Sequence, residues 1–163
     1  MRVISERRIV DDAWISVEPG AALPAAGHGV VAFSDWLARK DTLRATNSPL
    51  GVRVHSDVDP AALAAEAPNF ALIAIEFPTF KDGRGYSIAR LLRDEHGYRG
   101  DLRAVGHVLR DQLLAMERVG FTSFELAPGK SLESAVEAFA EFSHAYEAIG
   151  AGITSVRALR RRA

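Results

Sequence analysis

Three observations predict an α/β fold for this chain: a mostly parallel sheet of about five strands with helices on both faces, preceded by an N-terminal β-hairpin. First, short β-rich apolar runs alternate with amphipathic helical stretches five times from Val30 onward, the order that builds a parallel sheet. Second, residues 70–77 read F-A-L-I-A-I-E-F, a near-continuous apolar run suited to a central strand buried on both faces. Third, two β-rich runs near the N-terminus flank Asp11-Asp12, a plausible turn. Strand-to-helix order with right-handed crossovers fits either an open sheet covered on both faces or a barrel-like fragment of curved sheet. Five units are too few for a closed eight-stranded barrel, and the open three-layer form is preferred.

The elements follow in order. Residues 8–10 and 14–17 form the two arms of the expected hairpin within residues 1–20, and the small-residue, Pro/Gly-rich stretch 21–29 joins it to the body. Residues 30–33 are a short strand, with Ser34 as the N-cap of a helix to about Arg44. Residues 50–54 are the next strand, and Asp59-Pro60 opens an alanine-rich helix with proline in its first turn. After strand 70–77, Ser87 is expected to cap a helix to about His96 whose inner stripe is Ile88, Leu91 and Leu92, with Gly97 and Gly100 bracketing its end. Residues 102–105 form a strand, 107–119 a helix, and 123–126 the last strand. Pro128-Gly129 breaks the chain, and Ser131 caps a final helix with Val136, Phe139, Ser143 and Tyr146 on its inner face. Residues 151–163, rich in arginine (Arg157, Arg160, Arg161, Arg162), read as a frayed basic tail that could steer an acidic partner.

The chain's 163 residues suffice for one domain, with 48% hydrophobic and 25% charged residues, a balance expected of a soluble globular protein. A formal net charge of −1 gives no basic field for nucleic acid. No apolar run is long enough to serve as a signal peptide or membrane span, so the expectation is a cytoplasmic protein with neither nucleic acid nor membrane as partner. Cysteine is absent, which excludes disulfides, a thiol nucleophile and thiolate-held iron–sulfur clusters. Any redox role would need a flavin, a nicotinamide or a partner protein.

The stretch 80–121 carries the most information. Asp82-Gly83-Arg84-Gly85 follows the long strand and opens into a helix, and Arg103-Ala104-Val105-Gly106 leads toward Arg110-Asp111-Gln112. Strand-to-helix edges are where α/β proteins bind ligands, and arginines there suit an oxyanion. Across Asp82-Gly83-Arg84-Gly85-Tyr86-Ser87, Ala89-Arg90-Leu91-Leu92-Arg93, Arg103-Ala104-x-Gly106 and Arg110-Asp111-Gln112, the chain resembles the bacterial domain-of-unknown-function family 934. Its members are labelled as oxidoreductases of sulfite reduction because of their gene neighbourhood. The resemblance is strongest over residues 77–124 and looser back to Leu50. It implies a place in sulfate assimilation, with sulfite reductase components as partners. The family is commonly acidic where this chain has His107.

On the residues themselves, Gly83, Arg84, Gly85 and Ser87 read either as a tight connection or as an anion cradle of backbone N–H groups at a helix start. Tyr86 is the anchor expected to face a partner. Arg90 lies early in the helix, while Arg93 belongs to a solvated face. Arg103 lies toward the end of its strand and could aim into the site; Gly106 ends that strand. Arg110 leans structural, and Asp111 is balanced between ion-pair anchor and general base. Asp82 and Asp111 are the candidate proton carriers. Glu76, a carboxylate on the apolar strand, must be paired or lie near the sheet edge, where it could meet an arginine of the site. No histidine pair has zinc spacing, no metal site is expected, and Trp14, Trp36, Phe121, Phe124, Phe139 and Phe142 read as packing.

The sequence thus predicts an accessory or binding protein of assimilatory sulfite reduction that handles an anionic small molecule and has no cofactor. The alternatives are a small α/β enzyme acting on an anionic substrate by acid/base chemistry, with Arg84, Arg90 and Arg103 as clamp, or a flavin-dependent oxidoreductase.

Overall fold

The computed structural model describes residues 1–79 and 81–147, with side chains described through residue 140. Among the described residues there are eight strands and five helices. They are β1 (Arg2–Ser5), β2 (Arg8–Asp11), β3 (Trp14–Ser16), β4 (His28–Ala32), α1 (Phe33–Arg44), β5 (Leu50–His55), α2 (Pro60–Glu66), β6 (Leu72–Phe77), α3 (Arg84–Asp94), β7 (Asp101–Gly106), α4 (Leu113–Arg118), β8 (Ser123–Phe124) and α5 (Leu132–Glu147). Strands and helices alternate from β4 onward. One sheet holds all the strands in the order β2-β1-β8-β7-β6-β5-β4-β3. β3 through β8 pair in parallel, and the hairpin β1–β2 adds antiparallel to β8.

The five expected strand–helix units are all present as β4 to α5, but the helices do not cover both faces. The parallel strands follow one another in sequence with no reversal, so crossovers of one hand place every helix on the same side. Trp36, Leu63, Leu92, Leu113, Met116 and Phe139, spread over all five helices, share one cluster with Val31, Val52, Ile73, Ile75, Leu102 and Phe124 of the sheet. The opposite face holds only a small apolar cluster, Val30, Leu72, Ala74 and Val105, with Trp14 packed on it. A doubly covered sheet would need the strand order to reverse at some point; here it does not.

The sheet is strongly curled. A flat sheet of eight strands would hold β2 and β3 roughly 34 Å apart, seven spacings of about 4.8 Å. Only Asp12 and Ala13 separate these two strands, so Asp11 and Trp14 lie within about 11 Å of each other. The sheet therefore rolls into a half-barrel whose open side is spanned by the Asp12–Ala13 link. Hydrogen bonds from Asp12 N–H to Met1 O (2.8 Å) and from His28 N–H to Ala13 O (3.2 Å) stitch the link to both edges. Inside the curl, the Arg103 guanidinium grips the Asp12 carboxylate at 2.7 and 3.0 Å, and its Nε donates to Ser123 Oγ (3.2 Å). Ser123 Oγ donates in turn to Asp101 (2.9 Å).

The N-terminal hairpin exists, with different arms. β1 pairs with β2 through a turn at Glu6 and Arg7, both with positive φ (49° and 63°), while the expected second arm departs to the far edge as β3. Two left-handed central residues suit a tight hairpin, but Glu-Arg carries none of the usual Asn-Gly chemistry, so the turn is invisible locally. Arg7 holds it from outside by a bidentate bond to Glu117 of α4 (2.9 and 2.7 Å).

Three helix starts also differ. α1 begins at Phe33 with no side-chain cap, and α3 begins at Arg84 rather than after Ser87. The expected helix 107–119 is a 3₁₀ turn, Arg110–Gln112, followed by the short α4. Asp59 and Ser131 cap as expected, accepting from Ala61 N–H and Ser134 N–H at 3.1 Å each. The basic tail and Phe80 lie outside the described residues, as do the side chains of Phe142, Ser143 and Tyr146.

Candidate functional site

In a parallel sheet curled toward a barrel, the C-terminal ends of the strands and the loops leaving them form the open mouth where ligands bind. Two groups of residues occupy that rim here: the Asp82–Ser87 turn, and a cleft at the mouth of the curl.

The turn supplies its own anion. Asp82 accepts from the Arg84 backbone N–H (3.0 Å), from Arg84 Nε and Nη2 (3.0 and 2.8 Å) and from Ser56 Oγ (2.5 Å). Its carboxylate sits where a bound oxyanion was expected, at the start of α3. Hydrogen bonds from Arg84 first and Ser56 next hold its pKa far below the usual carboxylate range, and Arg84 is raised in return by the same bond. A carboxylate held this firmly ionised is a fixed charge rather than a proton carrier near neutral pH. Arg84 keeps an exposed side chain beside it.

The glycines of the turn have steric work. A Cβ on Gly85 would lie 2.5 Å from Phe77 Cζ, so α3 approaches the end of β6 only because that position is bare. Gly106 has φ +88°, and a Cβ there would lie 2.7 Å from Phe77 O. Both glycines frame Phe77, against which Tyr86 packs edge-on at 5.6 Å. Burial, then the nearby Asp111 charge, raises the Tyr86 phenol pKa. Asp111 is exposed and lies close enough to be felt there, so the structure brings Asp82, Arg84, Tyr86, Gly106 and Asp111 to one rim. Arg110, exposed in the 3₁₀ turn, belongs to the same edge.

Three other candidates do not join them. Arg103 is 5% exposed and committed to Asp12 inside the curl. Arg90 lies on the exposed face of α3, 3.4 Å from Asp94 one turn on. Ser87 is exposed in the first turn of α3 and caps nothing. Arg93, read as a solvated residue, is instead a knot: its guanidinium donates to the carbonyls of Gly120, Tyr98 and Gly100 at 2.6–3.0 Å.

The mouth cleft has a volume of about 570 Å³, within the usual range for small-molecule sites. Arg53, Glu76, His107, Glu125 and Lys130 line it, over a floor that includes Phe77 and Gly106. Arg53 donates from Nε to Glu76 (3.0 Å), and His55 Nδ1 lies 3.4 Å from the same carboxylate. Glu76 thus meets an arginine, as its place on an apolar strand requires, but that arginine is Arg53. The sequence contained a usable signal: in Leu50-Gly51-Val52-Arg53-Val54-His55 the alternation puts Arg53 and His55 on the face opposite the helix-covered valines. Glu125 follows β8 in the same phase as Ser123 and so faces the curl. No group of three or more His, Asp or Glu side chains able to hold a metal ion occurs among the described residues, and no described helix is long and apolar enough to cross a membrane.

No characterised protein and no solved structure matches the chain, so no matched relative carries the oxidoreductase label over to it. A family model described as a bacterial protein of unknown function (DUF934) matches residues 51–156, well over half of the sequence. That span begins in β5 and takes in both halves of the rim, the Asp82–Ser87 turn and the Arg53–Glu125 cleft. The chain therefore belongs to the DUF934 family of bacterial proteins.

Proposed function

We propose that this protein is an accessory or binding protein that takes a small anion at the C-terminal rim of its half-barrel, acting beside assimilatory sulfite reduction. The observation that carries the anion reading is the state of Arg53. Glu76 engages its Nε, which orients the guanidinium and leaves the terminal nitrogens with no hydrogen bond among the described residues, beside a cleft of small-molecule size; such a paired-donor fork recognises oxyanions. Lys130, exposed at the lip, and Arg2, which also pairs with Glu133, add further cations. The Asp82–Ser87 turn forms the neighbouring part of the rim, with Arg84 already neutralised by Asp82. The sulfite context is supported by the resemblance over residues 77–124 and by nothing in the geometry.

Thermal melting with sulfate and phosphate tests the anion site. A ligand at a hundredfold excess over its Kd stabilises by roughly 2.7 kcal/mol, which melting resolves easily. The expected result is a shift in the parent and in Arg84→Ala that is absent in Arg53→Met. Loss in Arg84→Ala alone would return the anion to the turn, and equal shifts in all three would reduce the effect to general salt. The pathway is tested by growth on sulfate as sole sulfur source: the gene deletion should grow poorly, and normal growth would remove the sulfite role. Capture of sulfite reductase components by the tagged chain, weakened by Tyr86→Ala, is the expected docking result.

A second reading, a small enzyme working by acid/base chemistry, is favoured by one feature. Among the described residues Glu125 lines the cleft with no ion pair or side-chain hydrogen bond, whereas Asp82 is unsuited to proton transfer.

A further inference from the structure

Resting on the reading that the mouth cleft binds an anion, we infer that its ligand is a small zwitterion of the amino-acid class, its acidic group on Arg53 and its ammonium on Glu125. The register places the two ends of such a site. Glu76 on β6 stands beside Val105 on β7, and Glu125 N–H bonds to Ala104 O across the next strand pair. Glu76, Val105 and Glu125 therefore form one row across the mouth, and Glu76 and Glu125 are separated at the backbone by two strand spacings, about 10 Å.

The two carboxylates in that row are not equivalent. Glu76 is committed to orienting Arg53 and sits near His55. Glu125 is half-buried and has no ion pair among the described residues, although it lines a cleft that also holds Arg53, Lys130 and Arg2, the last paired with Glu133. A partly buried carboxylate without a partner loses hydration and gains nothing back unless a ligand supplies hydrogen-bond donors. A simple oxyanion would make this worse, because its charge would face Glu125 across the same cleft. A molecule with an ammonium at one end and an acidic group at the other satisfies both walls at once. Phe77, Pro78, Leu126 and Ala127 give the cleft apolar lining beside these charged groups. That lining suits a short aliphatic backbone between the two charged ends.

Matched ligands isolate the ammonium. Calorimetric titration of the full chain with L-aspartate, L-glutamate, succinate and glutarate compares the same carbon skeletons with and without it. The expected result is that the amino acids bind the parent at least tenfold tighter than the diacids. Glu125→Gln should remove that preference by weakening the amino acids while the diacids, freed of a facing carboxylate, bind as well or better, and Arg53→Met should weaken all four. If the diacids bind as well as the amino acids, or if Glu125→Gln leaves the preference intact, the ammonium assignment is overturned while the anion site stands. If none of the four binds the parent, the inference fails, and if sulfate and phosphate also fail, so does the anion reading beneath it. Amide chemical shifts of Val105, Gly106 and Glu125 in the parent give a readout that needs no variant: L-aspartate should move them, and movement confined to other regions overturns the placement.

Discussion

At the scale of single residues, the buried pair between Arg103 and Asp12 shows how a charge can be structural where it looked functional. The side chains are 7% and 4% exposed, and the pair joins β7 to the link that spans the open side of the curl. Removing one partner strands the other inside, which typically costs about 3–5 kcal/mol, whereas replacing both with apolar groups of similar size can be neutral. Arg103→Met is therefore expected to destabilise by about that amount in urea denaturation, and Arg103→Met with Asp12→Leu to recover most of it. Simple additivity of the two would show that the pair does not act as a unit. Gly85→Ala is expected to cost about 1–3 kcal/mol, because its methyl would meet the Phe77 ring at a position where two elements already touch.

The turn into α3 belongs to the scale of elements. Its stability should depend on pH through Asp82. The folded-state pKa of Asp82 lies below its unfolded value, which is near 3.9, so the carboxylate contributes stability above that pH and loses it as pH falls toward the folded value. Asp82→Asn should accordingly lower the melting temperature at pH 7 and pH 5 alike. The gap between parent and variant should then narrow steadily below about pH 4. A gap that stays constant down to pH 2.5 would mean the carboxylate's charge is irrelevant to the turn. Ser56→Ala should give a smaller effect of the same sign, since Ser56 is the weaker of the two influences on that carboxylate. The hairpin turn at Glu6–Arg7 obeys a different logic: its conformation is enforced by the Arg7–Glu117 bond rather than by local preference.

For the whole molecule, the curl decides what can fold alone. The family span 51–156 omits β1, β2, β3 and β4, and with them Asp12, Trp14 and the link across the open side. A fragment cut to that span would leave the edges of β5 and β8 unpaired and Arg103 without its carboxylate. Exposed edges and a stranded buried charge both favour aggregation over folding. The expected outcome is an insoluble fragment, or one with no cooperative unfolding transition by circular dichroism. Adding the 1–50 segment as a separate chain should restore a transition. A fragment that melts cooperatively by itself would show that the N-terminal strands decorate the sheet rather than complete it.

What the amino-acid sequence determined alone is local. Apolar runs marked five of the six parallel strands, Asp59 and Ser131 marked two helix starts, and the Asp82–Ser87 stretch marked a strand-to-helix edge, because each depends on neighbours within a few residues. The face on which the helices lie, the arms of the hairpin and the identity of the cleft's arginine depended on strand order. The residues concerned are far apart along the chain: Asp12 meets Arg103, Arg7 meets Glu117, and Arg53 meets Glu76. Arginine is equally at home in an oxyanion clamp and in an internal ion pair, so its residue type cannot separate the two. Only the curl of the sheet, which buried Arg103 against Asp12 and set Arg53 at the open mouth, decided which arginine is spent on an internal pair and which lines the cleft.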